Sequence, residues 1–367
     1  MEGRYQMFKE QINDKEGICL STLFIMGSSL IIGVGSGAKN DAWIAGIVGI
    51  FMSLPVIFLY SRILSLFPGK DLFDIINIAF GKVFGKVISL FYIWYAFHLG
   101  ALVIRNFGEF INTVSLPETP MFVPMLFISV VCLYVARMGV EVIGRISTYF
   151  LPIVLFIIVA VNVLAIPQFD IRNIKPVLSQ GFAPVIKGGF SAFAFPFAES
   201  VILLGVLFSL KTKKSPYKVY FTGILFAGIV IVFLTIRNIV ILGELLGHLN
   251  FPSHVAVSRI SVSEFLQRIE VSVAFVFVVC AFTKASVCLY VASKGIGKIF
   301  KLNDYRSVVI QTGLLMIFLS YTLYKNIMEM RYWAYNVYQY YAFPFQVILP
   351  LIIWIIIEFK AKKMKKV

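Results

Sequence analysis

The chain has 367 residues, of which 59% are hydrophobic and 14% charged, and its formal net charge is +15. A soluble protein of this length could not cover so much apolar surface, so the composition excludes a soluble globular fold. The positive charge does not indicate a nucleic-acid partner. Lys and Arg cluster in short loops and in the tail KAKKMKK, where anchoring at membrane lipid accounts for them.

The apolar residues form continuous runs of about 20, long enough to cross a bilayer as helices. Such runs differ from the alternating pattern of membrane β-barrels. We predict an all-α integral membrane protein with a single transmembrane domain over residues 1–367. Its ten transmembrane helices are expected at about 13–38, 41–66, 84–109, 120–137, 145–166, 184–208, 217–242, 269–293, 305–324 and 337–358.

Loop charge predicts the orientation of these spans. Most loop Lys and Arg fall on the side that holds both chain ends, and the opposite side holds few. Because cytoplasmic loops carry the excess of Lys and Arg, we expect both termini on the cytoplasmic side. The polar N-terminus, MEGRYQMFKEQINDKEG, lacks the features of a cleavable signal peptide.

The first and sixth spans contain helix-weakening residues near mid-membrane. Span 1 reads MGSSLIIGVGSG over 26–37, and span 6 reads GGFSAFAFPFAES over 188–200. Interrupted helices at matching positions of two halves indicate a 5+5 inverted-repeat transporter fold, with a binding site at the breaks. Repeat 1 is expected at about 13–166 and repeat 2 at about 184–324, followed by span 10 at about 337–358. Close helix packing explains Gly33, Gly35 and Gly37 at least as well.

Three short stretches carry a family resemblance: NDAWIAG at 40–46, FPGKDLFDI at 67–75 and VIRNFGEFI at 103–111. With the ten-span plan, they make the chain resemble the permease-like B subunits of spore germinant receptors, a branch of the amino acid–polyamine–organocation superfamily. The resemblance implies a nutrient-sensing role in the inner membrane of a bacterial endospore. It also implies a complex with an A subunit and a C lipoprotein subunit.

Charged residues inside spans are candidate functional residues, because burying a charge in the membrane costs free energy. Glu199 of span 6 and Lys284 of span 8 are expected at similar depth, where they can pair as a structural salt bridge or serve a function. The superfamily resemblance implies a cation site between spans 1 and 8 in sodium-coupled members. The Lys284 ammonium could take the place of that cation, or it could act as a proton-responsive group. In either case we expect that sodium is not required. Arg105 and Glu109 suit a snorkelling structural pair near the outer end of span 3.

The span plan places several small and aromatic side chains around the breaks. They would form a small mid-membrane pocket with apolar walls and a few polar groups, which fits a small nutrient. The single histidine of span 3 is more readily explained by packing. The predicted ligand-binding residues are Gly27, Ser28, Ser29, Trp94, Phe97, His98, Ala194, Phe195, Thr283 and Val287.

Other chemistry has little support in the sequence. There is no phosphate-binding G-x-x-x-x-G-K-[ST] motif and no nucleophile–base arrangement, so we expect neither an enzyme nor a cofactor. His248 and His254 are too weak a pattern for a metal site. The aromatic stretch RYWAYNVYQYY at 331–341 is interpreted as an outer interfacial belt.

The leading functional hypothesis is therefore a receptor subunit that binds an amino acid, nucleoside or sugar and triggers spore germination. The alternative is a proton-coupled secondary transporter of amino acids or small amines. A third hypothesis is a nutrient-opened ion channel subunit. The physics of the broken spans supports receptor and transporter equally, because both need the same site.

Overall fold

The computed structural model of the chain describes residues 11–260 and 269–364. Fourteen α-helices follow one another along the described residues. They are α1 Asp14–Met26, α2 Ser29–Ile32, α3 Ala42–Leu66, α4 Leu72–Val114, α5 Phe122–Met138, α6 Val140–Ala165, α7 Phe182–Ala192, α8 Ser215–Leu242, α9 Pro252–Ser258, α10 Glu270–Phe300, α11 Val309–Thr322, α12 Ile327–Tyr332, α13 Tyr338–Phe343 and α14 Leu349–Met364.

Tighter and wider helical turns join several of these helices. Four segments matter for the site: the 3₁₀ turns of Ala198–Gly205, and the π-helical turns of Phe193–Phe197, Trp333–Val337 and Pro344–Ile348. The π segments bridge α7 to Ala198–Gly205, α12 to α13, and α13 to α14. A π-helical turn takes up one extra residue and occurs frequently at functional sites.

The predicted all-helical membrane fold is confirmed. Within the described residues, seven continuous helical stretches are long and apolar enough to cross a bilayer, and α5 and α11 are shorter apolar helices. The interrupted pair α1 and α2 occupies the region of predicted span 1. The total of ten spans and the repeat boundaries stay predictions.

The first interruption lies at Gly27. An Asn13–Glu16 capping box starts α1, and Gly27 follows its last residue with a φ of 27° and a ψ of −131°, which no longer continue the helix. Gly33 follows the last residue of the short helix α2 and has a φ of 83°. Positive φ is costly for residues with a Cβ, so glycine at both positions permits this path.

The second interruption lies at Phe195. Its φ of −134° and ψ of 111° are extended, and Pro196, which follows, has no amide hydrogen to donate to a preceding carbonyl. The chain continues into the buried segment Ala198–Gly205. The backbone groups that are released here must find other partners, since lipid offers none.

Helix α10 lies at the centre of the bundle. It packs against α1, α4, α5, α6 and α11, and it also contacts Ala198–Gly205 beyond the second break. Helix α1 packs against α6, α8 and α10, so the first break is buried as well. The packing therefore brings both interruptions to the side of α10.

Candidate ligand site at the two helix breaks

A cavity with about 380 Å³ of space between atoms lies at the two breaks. Water-sized spheres fit into only about 30 Å³ of it, so it has room for little more than water as it stands. Its wall is formed by residues of α2, α4, α10, α12 and α13, of both breaks, of the segment Ala198–Gly205 and of the stretches on either side of α12. They are Ser28, Ile32, Leu99, Leu102, Val103, Asn106, Phe195, Glu199, Lys284, Tyr324, Met330, Trp333, Ala334 and Tyr338.

The cavity contains a buried ion pair. Lys284 Nζ contacts Glu199 Oε2, and the side chains are 0% and 1% exposed, respectively. Lys284 Nζ also lies 5.1 Å from the ring centroid of Phe24 and 5.5 Å from that of Phe195. An ammonium over aromatic faces is attracted by their quadrupoles. Lys284 thus contacts α1 ahead of the first break and residues at and after the second break.

A chain of hydrogen bonds runs from Glu199 into the last span. Tyr338 Oη donates to Glu199 Oε1 at 2.5 Å, and the hydroxyls of Tyr338 and Tyr95 lie 3.1 Å apart. Gln346 Nε2 donates to Tyr95 Oη at 2.9 Å and to the carbonyl of Ala194 at 2.8 Å. The Ala194 carbonyl lies directly before the extended residue of the break, so a side-chain amide takes the role of the missing helical donor.

Two polar atoms on the cavity wall have no hydrogen-bond partner within the described part of the chain. They are Ser28 Oγ, at the first break, and Trp333 Nε1. Buried polar groups in native proteins are nearly always paired, so an unpaired donor on a cavity wall marks a position for a ligand or an ordered water. The wall therefore offers a hydroxyl, an indole N–H and an ion pair, beside Asn106, two tyrosines and apolar side chains.

Some predicted ligand-binding residues lie at this cavity and others only near it. Ser28 and Phe195 line it, and a Cβ at Gly27 would lie 3.2 Å from Lys284 Nζ. The other predicted residues of spans 1, 6 and 8 are buried but do not line the cavity: Ser29, Ala194, Thr283 and Val287. The hydroxyls of Ser29 and Thr283 donate to backbone carbonyls in the preceding turn.

The predicted residues of span 3 do not line the cavity but form an aromatic group that meets its wall at Trp333, whose ring centroid lies 6.0 Å from that of His98. Trp94 is 46% exposed and stacks on His98 with ring centroids 5.5 Å apart. Phe97 lies 6.2 Å from Trp94, and Tyr341 meets His98 edge-on at 5.1 Å. The predicted spans indicate how deep a residue lies in the membrane but not which side of a helix faces the cavity. The side of α4 that faces it carries Leu99, Leu102, Val103 and Asn106.

Arg105 and Glu109 form the expected pair, but the snorkelling interpretation is wrong. The pair has an N–O distance of 2.8 Å, and the side chains are only 3% and 11% exposed. Arg105 also donates to the carbonyls of Tyr321 and Tyr324 at 2.7 and 2.6 Å. The guanidinium therefore holds carbonyls at the C-terminal end of α11 instead of reaching for the surface.

The last span supplies site residues that the sequence did not reveal. The stretch 331–341 was expected to form an interfacial belt, and Tyr332 and Tyr340 are indeed 65% and 62% exposed. Tyr338, however, is 4% exposed and binds Glu199, and Trp333 lines the cavity. The belt interpretation is thus wrong for these two. The only signal for them was an aromatic run longer than a belt requires.

The fold matches those of secondary transporters. The nucleobase–cation transporter Mhp1, solved in a closed conformation with bromovinylhydantoin bound, has a TM-score of 0.72 at 10% identity; the match covers 93% of this chain and 78% of that one. MhsT in complex with L-phenylalanine has a TM-score of 0.62 at 11% identity, covering 96% and 97%. At such identities the likeness shows the fold alone. The molecule is a helical integral membrane protein with a transporter-like fold.

Sequence comparison identifies the family. Residues 11–328 match the family model described as spore germination protein, so the chain belongs to that family. It is 29% identical to spore germination protein KB of Bacillus subtilis strain 168 over 98% of both chains. It is 24% identical to spore germination protein A2 of the same organism over 96% and 97%. A general role as germinant receptor or permease is supported, as is a B-type subunit of a complex.

Proposed function

We propose that the chain is the nutrient-sensing membrane subunit of a spore germinant receptor, which binds a small germinant (amino acid, nucleoside or sugar) at the cavity between the two breaks. One observation carries this proposal: the cavity joins both interrupted helices, a buried ion pair and two unpartnered polar atoms. A mostly apolar site with a few convergent polar groups suits a small nutrient.

The same geometry suggests how binding is sensed. Glu199 follows the second break, Lys284 belongs to α10, and Tyr338 belongs to the last span, so three elements meet at one carboxylate. A ligand that fits between them must widen the narrow cavity and thereby shift these elements. A ligand shifts the equilibrium between the narrow and the widened state only if it binds one of them more tightly. It would bind the widened state more tightly, and that state would be the signalling state.

The setting of this subunit is part of the proposal. Family membership supports an assembly with an A subunit and a C lipoprotein subunit in the inner membrane of the endospore. The excess of Lys and Arg on the side of the termini supports an orientation with both ends toward the spore core. The germination signal would then pass to the partner subunits.

A proton-coupled transporter of amino acids or small amines is the second candidate. It is favoured by the transporter-like fold together with a titratable pair inside the membrane, since intramembrane carboxylates and amines often form proton relays. Purified full-length protein in proteoliposomes separates the two functions. Saturable, concentrative uptake of a nutrient driven by a proton gradient would support the transporter.

The receptor function is tested by dipicolinic acid release from spores that lack this gene, scanned across single nutrients. We expect loss of the response to one nutrient or a narrow class, restored by the intact gene. Unchanged release across the whole panel would favour the transporter instead.

The cavity itself is tested by Trp333→Phe, which removes the unpartnered indole N–H, with Trp43→Phe as matched control. Trp43 Nε1 is also buried without a partner among the described residues, but Trp43 does not line the cavity. Trp333→Phe should raise the nutrient concentration for half-maximal release by about 2- to 10-fold, the value of one hydrogen bond. Equal responses of the two variants would contradict the assignment of this cavity.

A further inference from the structure

A second and larger opening lies at the end of the bundle where α7 begins and α2 ends. It contains about 1150 Å³ of space between atoms and is wider than the cavity at the breaks. Lys187, Gly188 and Ser191 of α7 line one side, and Arg331, Tyr335 and Gln339 line the other. We call this opening the outer cleft.

Among the described residues, the wall of the outer cleft carries positive charge and no negative charge. Lys187 and Arg331 line it, and none of the described residues of its wall is acidic. Arg331 Nη1 donates to Asn250 Oδ1 at 2.9 Å, and its guanidinium lies 5.9 Å from the ring centroid of Tyr335. Neutral partners thus hold the guanidinium in place while its charge remains available. Two cations in one cleft attract anions and raise their local concentration.

Two further features of the wall suit a polar ligand. Gln339 is 2% exposed, and its Oε1 has no hydrogen-bond partner in the described residues. The N-terminal end of the 11-residue helix α7 lies at the cleft, because Gln180 and Ala183 both line it. The residue before the helix, Gly181, has no side chain to cap the free amides of the first turn. The N-terminal end of a helix bears partial positive charge and favours anions. Within the described residues, the wall therefore combines two cationic side chains with a buried acceptor that has no partner.

The outer cleft and the cavity at the breaks share one wall. Along the segment 331–339, Arg331, Tyr335 and Gln339 line the cleft, whereas Trp333 and Tyr338 line the cavity. Tyr335 Oη additionally donates to the carbonyl of Ile32, the last residue of α2, at 2.6 Å. A ligand held in the cleft is thus separated from the cavity by the thickness of one helical segment.

We infer that the outer cleft is a second binding site, which takes the carboxylate of a small anionic or zwitterionic molecule through Lys187 and Arg331. A free ammonium group on the same molecule would find an acceptor in Gln339 Oε1. That this molecule is the germinant rests on the proposed function, and it then selects amino acids over neutral sugars and nucleosides. The cleft would concentrate such a molecule beside the cavity.

Cysteine labelling tests the charge of the cleft directly. Asn336 lines it and is exposed, and the four native cysteines are buried, so Asn336→Cys in the full chain in phosphatidylcholine nanodiscs gives one reactive thiol. Its rates with sulfonate-bearing and trimethylammonium-bearing methanethiosulfonate reagents are compared with those of a free thiol. We expect a preference for the sulfonate that falls about threefold with Lys187→Met or Arg331→Met.

The matched control is Lys175→Met, an exposed cation that does not line the cleft. It should leave the preference unchanged, and equal effects of all three variants would overturn the inference. Carboxylate recognition is tested with a neutral methanethiosulfonate reagent at constant ionic strength. Acetate should slow labelling, whereas acetamide and chloride should not. Equal protection by chloride would overturn carboxylate recognition.

Germination connects the cleft to the nutrient. In spores, Lys187→Met and Arg331→Met should each raise the half-maximal concentration of a carboxylate nutrient by about threefold, as in the labelling experiment, and Lys175→Met should not. If deletion of the gene alters no nutrient response, the proposed function fails while the labelling result still decides on the cleft. If deletion abolishes a response that neither cleft variant shifts, the cleft does not serve the germinant.

Discussion

Lys284 of α10 and Glu199 of the segment beyond the second helix break form an ion pair that is shielded from solvent on all sides, with side chains 0% and 1% exposed. Desolvating two charges costs free energy that their attraction offsets only in good geometry. Here Tyr338 Oη donates to the second carboxylate oxygen at 2.5 Å, so both oxygens of Glu199 have partners. The pair joins two elements that the proposed ligand would separate.

Removing one member of this pair should be strongly destabilising. Lys284→Met leaves the Glu199 carboxylate buried without its cation, and we expect a loss of about 3 kcal/mol in the free energy of unfolding. Thermal unfolding of the detergent-solubilised protein measures it. The control is Arg62→Met, because the Arg62–Glu358 pair is 37% and 22% exposed and such pairs contribute about 1 kcal/mol or less.

The double variant Lys284→Met/Glu199→Leu completes this test. It removes both charges, so it should recover part of the stability that Lys284→Met loses. A single variant no less stable than Arg62→Met, or a double variant less stable than the sum of both single changes, would contradict the assignment of a tightly coupled pair.

Tyr338→Phe isolates the hydroxyl that binds Glu199. The change deletes one hydrogen bond to a charged group and the contact to Tyr95, and we expect about 1.5–3 kcal/mol lower stability. The nutrient response should weaken as well, measured as dipicolinic acid release. Tyr340→Phe serves as control because Tyr340 is 62% exposed. Indistinguishable melting temperatures for the two variants would show that the Tyr338 hydroxyl does not support the carboxylate.

The sequence predicted the interruptions because their causes are local. Glycine at position 27 and proline at position 196 weaken a helix wherever they occur, and the structure leaves helical geometry at Gly27 and at Phe195. Depth along a span also follows from residue counting at a fixed rise per residue. It placed Glu199 and Lys284 at one level, and the structure brings their side chains together.

The rotation of the spans could not be predicted in the same way. An apolar run in a membrane lacks the polar face that orients a helix in a soluble protein, so the side of α4 that faces the cavity was not evident. The π turns Trp333–Val337 and Pro344–Ile348 each add a residue, which rotates the following positions around the axis. Tyr338 and Gln346 were missed for this reason.

Gly27 is expected to be irreplaceable for two separable reasons. The first reason is space, because a Cβ there would lie 2.6 Å from Lys284 Cδ. The second is the backbone, because the φ of 27° is strained for any residue with a side chain. Gly33 has a φ of 83°, but its nearest neighbour would be Pro252 Cγ at 3.7 Å. Gly33→Ala should therefore cost only backbone strain, about 1–2 kcal/mol. Gly27→Ala should cost more and should abolish dipicolinic acid release, because it displaces Lys284. The reverse order of stabilities would refute this account.

Ligand binding or nutrient response should not depend on sodium. Lys284 Nζ lies 3.2 Å from the Cβ position of Gly27, so an amino group already occupies the space between α1 and α10. A metal cation placed beside it would be repelled. Replacing sodium by choline at constant ionic strength should leave the half-maximal nutrient concentration unchanged. A response that rises with sodium under these conditions would show that Lys284 does not substitute for a cation.

The charge cluster that ties the start of α4 to the end of α10 should make stability depend on acid. Asp71 caps α4 and accepts from the amide of Asp74 at 3.0 Å, and its carboxylate lies 3.4 Å from Lys294 Nζ and 3.5 Å from Lys298 Nζ. Burial by itself would raise the pKa of Asp71. The two lysine charges and the amide outweigh burial, and the pKa is lowered from its ordinary value of 3.8.

A pKa that is lower in the folded state stabilises the protein above the unfolded value, and this contribution is lost as the pH falls through the folded value. Melting temperatures should therefore drop most steeply below about pH 4, and Asp71→Asn should lower stability at neutral pH and flatten that acid limb. Asp170→Asn is the control. The pKa of Asp170 is also lowered by Arg172, but the Arg172 side chain is 90% exposed and water screens the pair. An acid limb that Asp170→Asn flattens as much as Asp71→Asn would show that burial of the cluster contributes nothing.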